Sequence, residues 1–172
     1  MTELSTHQLH DPIVAYLHET MWRFPPGHAP GMLAPSTTPY RIGEHLINLG
    51  YLLPHEVTSA LSIWQRKAAG SALPFGYTLI NNHRIAIPVL TSVLLLQVLD
   101  RLEHVPALAP RFMGEQLLVD GLLKPAQLAQ VLEEQIKAYQ RGQQIRLGNL
   151  ITKHGWLDQD LLTQEVQLLL HK

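Results

Sequence analysis

Apolar and polar positions along the chain follow one short pattern that occurs four times. Each copy holds an apolar residue, a glycine, a short apolar stretch, usually a second glycine, and then two apolar residues four positions apart. The first glycine of each copy, here called the leading glycine, is Gly43 in copy one, Gly76 in copy two, Gly114 in copy three and Gly148 in copy four. The step from the first to the third nearly equals the step from the second to the fourth. The pattern therefore indicates a two-copy unit that was duplicated, giving a first pair and a second pair.

Each copy is expected to form a short helix, a turn and a longer helix. Glycine suits the left-handed residue that closes a helix, and three copies carry it at the same place: Gly50, Gly121 and Gly155. Copy two has His83 there. The longer helices are predicted to begin at Pro54, at Pro125 and after the N-cap residue Asp158. The prediction is an all-α chain of tandem helix-turn-helix repeats. A tetratricopeptide array is rejected because its two helices are similar in length.

The segment before the first copy is expected to contain one helix and a linker. Asp11-Pro12 is a favourable helix start, and the helix is predicted to run to Arg23. Its apolar stripe consists of Ile13, Tyr16, Leu17 and Met21. Residues 25–39 are rich in proline, glycine, serine and threonine, which is typical of a linker. Two roles are open for this helix: packing on the rest of the chain, or docking to a partner.

Composition narrows the class of protein. The net charge is −1 and the basic residues are scattered, so neither DNA nor RNA is an expected partner. The chain has no cysteine, which excludes disulfides and thiolate metal sites. The first residues lack the layout of a signal peptide. The most apolar stretch, 85–99, is too short and too interrupted to span a membrane. A cytoplasmic protein without a transmembrane segment is expected.

The motif resembles the MshEN domain, the N-terminal domain of type II secretion and type IV pilus assembly ATPases. That family has two tandem motifs that begin Arg-Leu-Gly-x-x-Leu-Leu-x-x-Gly, continue with spaced apolar residues, end on glutamine, and bind cyclic di-GMP. Arg146-Leu147-Gly148 matches the opening, and Arg41-Ile42-Gly43 is a conservative variant. The resemblance implies two such domains in series, at 41–103 and 104–172, preceded by the N-terminal helix and linker at 1–40.

The resemblance also implies which residues would bind the nucleotide. An arginine fork can meet the O6 and N7 acceptors of guanine with two hydrogen bonds. Apolar residues would cover the base, and a glutamine would reach its edge. The expected ligand-binding residues are Arg41, Ile42, Gly43, Val57, Leu61, Arg111, Met113, Gly114, Leu128, Leu132, Gln135, Gln140, Arg146, Leu147, Gly148, Leu162 and Val166.

Some positions depart from the family motif. In place of the leading arginine, copy two has Pro74, and copy three has Phe112 with Arg111 one residue earlier. The closing glutamine is present as Gln97 and Gln135, but not in copies one and four. The connections within the pairs, 65–73 and 136–145, are longer than in the family. The second pair keeps more of the motif, so it is the favoured nucleotide site, and the first pair is the degenerate one.

Two functions are open at this point. The first is a non-enzymatic cyclic di-GMP receptor that regulates a secretion, pilus or exopolysaccharide machine. It would act in the cytoplasm or at the inner membrane through a protein partner. The second is a protein-interaction adaptor that kept the fold and lost the nucleotide. The sequence has no P-loop and no catalytic zinc or serine motif, so an enzyme is not expected, and neither is a cofactor or metal.

Overall fold

The computed structural model describes residues 6–68, 74–104 and 112–170. The prediction of an all-α fold is confirmed, because the described residues form helices and no strand. The helices are α1 (Thr6–Arg23), α2 (Ile42–Asn48), α3 (Pro54–Ala68), α4 (Phe75–His83), α5 (Ile87–His104), α6 (Met113–Val119), α7 (Pro125–Gln140), α8 (Leu147–Lys153) and α9 (Gln159–Leu170).

Short and long helices alternate from α2 onward, as the repeat predicts. The short helices α2, α6 and α8 end next to glycines in the left-handed region, with φ of 78° at Gly50, 68° at Gly121 and 69° at Gly155. The long helices α3 and α7 begin at the predicted prolines. The N-cap predicted at Asp158 is also confirmed, because its Oδ1 accepts a hydrogen bond of 2.7 Å from the N–H of Leu161.

Copy two closes its short helix one residue later than the spacing of the other three copies indicates. The left-handed residue is Arg84, at φ 54°, and not His83, which is the last residue of α4. A left-handed backbone is unfavourable for a residue with a Cβ atom, so this turn is the strained member of the four. Helix α4 has nine residues, against seven for α2, α6 and α8.

The two pairs have the same internal arrangement. In the first pair α3 packs on α4, and α2 packs on α5. In the second pair the equivalent helices do the same, with α7 on α8 and α6 on α9. The pairs meet where α5 packs on α7. The structure therefore repeats one four-helix arrangement, and whether 41–103 and 104–172 are separate domains stays a prediction.

Two clusters of buried apolar side chains form the core. One cluster joins α2–α5 and includes Leu46, Leu79 and Val93. The other joins α1 and α5–α9 and includes Ile13, Leu117 and Ile151. Helix α5 belongs to both, since Val89, Leu90 and Val93 lie in the first cluster and Leu95 and Leu99 in the second.

Helix α1 begins earlier than the predicted start at Asp11-Pro12. It starts at Thr6, which places Pro12 inside the helix. Proline removes a helical hydrogen bond, but the added turn buries Leu9, which is 1% exposed. Burial of a leucine is worth about 1.5–3 kcal/mol, and this offsets the loss. Helix α1 packs on α5 and α7, which supports packing over docking as its role.

Tyr16 fixes α1 to α7 through a polar contact. Its hydroxyl donates a hydrogen bond of 2.8 Å to Glu133 Oε1. Burial, together with the Glu133 carboxylate, raises the pKa of Tyr16 well above its ordinary value. Glu133 is also paired with Lys137 at 3.2 Å. The contact therefore joins two helices that are distant in the sequence.

The segment 25–39 has no helix or strand, as a linker should, yet it lies against the first pair. The N–H of Gly31 donates to the Ile47 carbonyl at 3.0 Å, and the N–H of Leu33 donates to Asn48 Oδ1 at 3.3 Å. Just beyond its end, the N–H of Tyr40 donates to Asp100 Oδ2 at 2.5 Å. The segment is thus tied to α2 and α5.

Asp100 is the centre of a partly buried polar cluster under this segment. His45 Nε2 lies 3.5 Å from Asp100 Oδ2, and His104 Nδ1 lies 2.9 Å from Oδ1. Burial lowers the pKa of His45, although Asp100 and Glu44 oppose the shift. Hydrogen bonds to the carbonyl groups of Asp100 and Ser36 raise the pKa of His104.

Candidate functional site

The leading glycines make close contacts between helices. A Cβ atom at Gly43 would lie 2.6 Å from Val57, at Gly76 2.9 Å from Leu90, and at Gly114 2.9 Å from Leu128. In each of these copies the contacted residue is the first of the two apolar residues, four positions apart, on the longer helix. Copy four is more open, because a Cβ at Gly148 would lie 3.7 Å from Leu162. The motif glycine and the first apolar position therefore form one packing contact in every copy.

The second pair has a nearly symmetric contact between its short helices. A Cβ at Gly114 would meet Leu147 at 3.3 Å, and a Cβ at Gly148 would meet Met113 at 3.6 Å. The residue before each leading glycine thus covers the other glycine. The starts of α6 and α8 therefore contact each other through equivalent motif positions.

A cavity of about 680 Å³ lies between the two pairs, and we call it the inter-pair cavity. Helices α4 and α5 form one wall, and α7 with the turn before α8 forms the other. This volume falls within the range of small-molecule sites. The described lining residues are Ile42, Pro74, Phe75, Gly76, Tyr77, Ile80, Leu90, Leu94, Leu132, Gln135, Ile136, Tyr139, Gln144, Ile145 and Arg146.

Aromatic rings stand in both walls of the inter-pair cavity. Tyr77 of α4 and Tyr139 of α7 meet edge to face, with ring centroids 5.0 Å apart. Phe75 makes a similar contact with Trp64 at 6.0 Å, so Trp64 supports the wall from behind. The remaining walls are mainly aliphatic. Such a surface suits a ligand that has a flat or apolar body.

Arg146 supplies the charge at the rim. It is exposed and is the N-cap of α8. No other described lining residue carries a charge. The guanidinium of Arg146 makes no ion pair or hydrogen bond within the described part of the chain. A planar guanidinium with free donors is suited to a phosphate, a carboxylate or the edge of a guanine.

Gln135 positions the turn that carries Arg146. Its Nε2 donates a hydrogen bond of 2.8 Å to the carbonyl of Ile145. Helix α7 is followed by a turn in which Gly142 has a left-handed backbone, with φ 76°. The side-chain carbonyl of Gln135 keeps its acceptor capacity. Gln135 therefore holds one wall of the cavity in place and offers one acceptor there.

The structure divides the predicted ligand-binding residues into three groups. Four of them line the inter-pair cavity: Ile42, Leu132, Gln135 and Arg146. Others pack the short helices on the long ones: Gly43, Val57, Met113, Gly114, Leu128, Leu147, Gly148 and Leu162. The rest of the described ones are exposed and do not line the cavity: Arg41, Leu61, Gln140 and Val166. Arg111 lies outside the described residues.

Sequence reasoning left out most of the α4–α5 wall. Phe75, Gly76, Leu90 and Leu94 belong to copy two, from which no ligand-binding residue is predicted. The repeat is the signal that points to them, because they hold the same motif positions as the residues predicted from copy three. Tyr77 and Tyr139 stand outside the motif, and their contact depends on packing between the pairs.

A second cleft, of about 460 Å³, lies between α1, the start of α5 and α7. Its charged lining residues are Glu19, Arg23, Glu133 and Lys137. Glu133 already accepts from Tyr16 and pairs with Lys137. Glu133 and Lys137 are thus already engaged in contacts within the protein, so the inter-pair cavity is the better candidate.

The described residues show neither a cluster of metal ligands nor a helix that could span a membrane. No group of three or more histidine, aspartate or glutamate side chains within 6–68, 74–104 and 112–170 could hold a metal ion. No described helix combines the length and apolar content that crossing a bilayer requires. Comparison with protein-family models, with curated proteins and with solved structures finds no match to this chain.

Proposed function

We propose that this protein is a non-enzymatic regulatory module that binds cyclic di-GMP in the inter-pair cavity. One observation carries the proposal: an apolar and aromatic cavity of about 680 Å³ has a single unpaired guanidinium, that of Arg146, among its described lining residues. Motif positions from all four copies contribute to its lining. The resemblance of the motif to cyclic di-GMP-binding domains supplies the identity of the ligand.

The chemistry of the cavity matches a guanine nucleotide. Guanine is a flat base whose faces stack on aromatic and aliphatic side chains, such as Phe75, Leu94 and Leu132. The edge of guanine presents two acceptors that a guanidinium can meet together. The phosphate is an anion, which Arg146 at the rim can also contact. The free acceptor of Gln135 would receive a donor from the base edge.

Regulation would follow from the position of the cavity. Its walls come from both pairs, α4–α5 and α7–α8, so a bound nucleotide would contact both. A ligand that binds one arrangement of the pairs more tightly shifts the population toward it. The partner that senses this shift would be a protein of a secretion, pilus or exopolysaccharide machine. The module would act in the cytoplasm or beside the inner membrane through that partner.

The test is a calorimetric titration with cyclic di-GMP of the wild type, Arg146→Ala and Arg41→Ala. Both arginines are exposed N-cap residues of equivalent short helices, but Arg41 does not line the cavity. A bidentate contact to guanine is worth about 1–3 kcal/mol, so Arg146→Ala should weaken binding roughly 5- to 150-fold. Arg41→Ala should bind like the wild type. Equal affinity in both variants would contradict the role of Arg146.

The alternative function, an adaptor without nucleotide, also has an observation in its favour. Packing between helices accounts for the leading glycines, and the hydrogen bond to the Ile145 carbonyl accounts for Gln135, so neither requires a nucleotide. The motif could thus persist to maintain the fold. Partner binding would then involve the free face of α1, where Trp22 is 88% exposed. The adaptor would be favoured if the protein gives no heat with cyclic di-GMP and if Trp22→Ala no longer captures a protein that the wild type captures.

A further inference from the structure

The four N-cap positions before the short helices are equivalent but carry different residues. They are Arg41, Pro74, Phe112 and Arg146. Only two of them, Pro74 and Arg146, line the inter-pair cavity. The cavity therefore lies between one N-cap with a cation and one N-cap without any hydrogen-bond donor.

The rest of the lining increases this asymmetry. Beside Pro74 the wall consists of Phe75, Tyr77 and Ile80 of α4. Beside Arg146 stand the amide side chains Gln135 and Gln144. Among the described lining residues the charge belongs to Arg146 alone. A ligand with two-fold symmetry, such as cyclic di-GMP, would thus meet a polar, cationic end and an apolar end.

From this asymmetry we propose that the cavity recognises one half of the ligand, a single guanine nucleotide with one base and one phosphate. This inference rests on the proposed function. One guanine and its phosphate would contact Arg146 and the neighbouring amides. The second half would pack against α4, where the described lining residues carry no charge. The specificity of the site is then for a guanine nucleotide, and the cyclic dinucleotide is not required for recognition.

The first test compares cyclic di-GMP with guanosine monophosphate by calorimetry on the full chain, with adenosine monophosphate as the control. The guanine mononucleotide should bind within about tenfold of cyclic di-GMP, since the polar contacts are the same. Adenosine monophosphate, which lacks the O6 acceptor, should bind more weakly. Tight binding of cyclic di-GMP without measurable binding of the mononucleotide would overturn this inference alone. Binding of neither would overturn the proposed function.

The second test adds the missing arginine. Pro74 has φ −61° and ψ 141°, and Arg146 has φ −73° and ψ 142°, so Pro74→Arg requires no change of backbone. The variant would give the apolar end a second guanidinium. The affinity for cyclic di-GMP should rise about tenfold relative to the mononucleotide.

Phe112→Arg is the matched control for that variant. It makes the same gain in charge at the equivalent N-cap of α6, which does not line the cavity. The ratio of the two affinities should therefore stay at its wild-type value in Phe112→Arg. An equal rise of the ratio in both variants would show a general effect of charge and would overturn the inference.

Discussion

Replacement of Gly43 by alanine is expected to destabilise the protein, whereas the same change at Gly148 is not. An added Cβ at Gly43 would lie 2.6 Å from Val57 Cγ1, closer than carbon atoms can approach. Valine is branched at Cβ and has little freedom at χ1, so α3 itself would have to move. At Gly148 the nearest atoms lie at 3.6 and 3.7 Å, which is ordinary contact.

The magnitude follows from two opposed effects. Overpacking a helix contact costs about 1–3 kcal/mol, while alanine is favoured over glycine in a helix by about 0.5–1 kcal/mol. Taken at the middle of both ranges, the net effect of Gly43→Ala is a loss of about 1 kcal/mol in the free energy of unfolding. For a chain of this length that lowers Tm by about 2–4 °C. Gly148→Ala has only the favourable effect and should be neutral or up to about 1 kcal/mol more stable.

Urea and thermal unfolding of both variants would measure these differences. Adding Val57→Ala to Gly43→Ala removes the atom in the clash, so the double variant should lose less stability than the two single variants together. Additive losses, or a Gly43→Ala protein as stable as the wild type, would refute the packing explanation of the motif glycine. A Gly148→Ala protein that is stable but has lost the nucleotide would assign that glycine to the ligand.

Further predictions concern three polar groups. Burial lowers the pKa of His45 below 6.5, so the unfolded state takes up a proton more readily than the folded state, and the protein loses stability as the pH falls below that value. His45→Gln should therefore reduce the shift of the urea midpoint between about pH 7.5 and 5.5. Tyr16→Phe removes the hydrogen bond to Glu133 and should lower the free energy of unfolding by about 1 kcal/mol in urea titrations. Asp158→Ala removes the N-cap of α9 and should lower it by about 0.5–2 kcal/mol, whereas Asp158→Asn should keep most of it.

The helices could be predicted because their ends depend on local chemistry. Proline at a first turn, glycine in the left-handed region and the aspartate N-cap each act over a few residues, and all are visible in the sequence. The predicted start of α1 is wrong because packing outweighs this local signal: the helix begins at Thr6, ahead of Pro12, and buries Leu9. The turn after α4 departs from the repeat, since its left-handed residue is Arg84.

The cavity could be predicted only in part, because it depends on how the pairs meet. Leu132, Gln135 and Arg146 are predicted from their motif positions, and they do share one wall. The opposite wall comes from copy two, and nothing in the spacing of the motif places it against α7. Contacts such as Tyr77 with Tyr139 arise from tertiary packing, which a repeat within one sequence does not encode.

The shared helix α5 limits how the chain could be divided or rearranged. Its first half completes the cluster of α2–α5, and its second half places Leu95 and Leu99 among α1 and α6–α9. In a simple array, a repeat contacts only its neighbours and can be deleted or inserted as a module. Here excision of the second pair would expose the second half of α5 to water, and excision of the first pair would remove Leu95 and Leu99 from the core around α1 and α6–α9. The duplicated units have thus become mutually dependent, and substitutions in α5 are constrained by both of them at once.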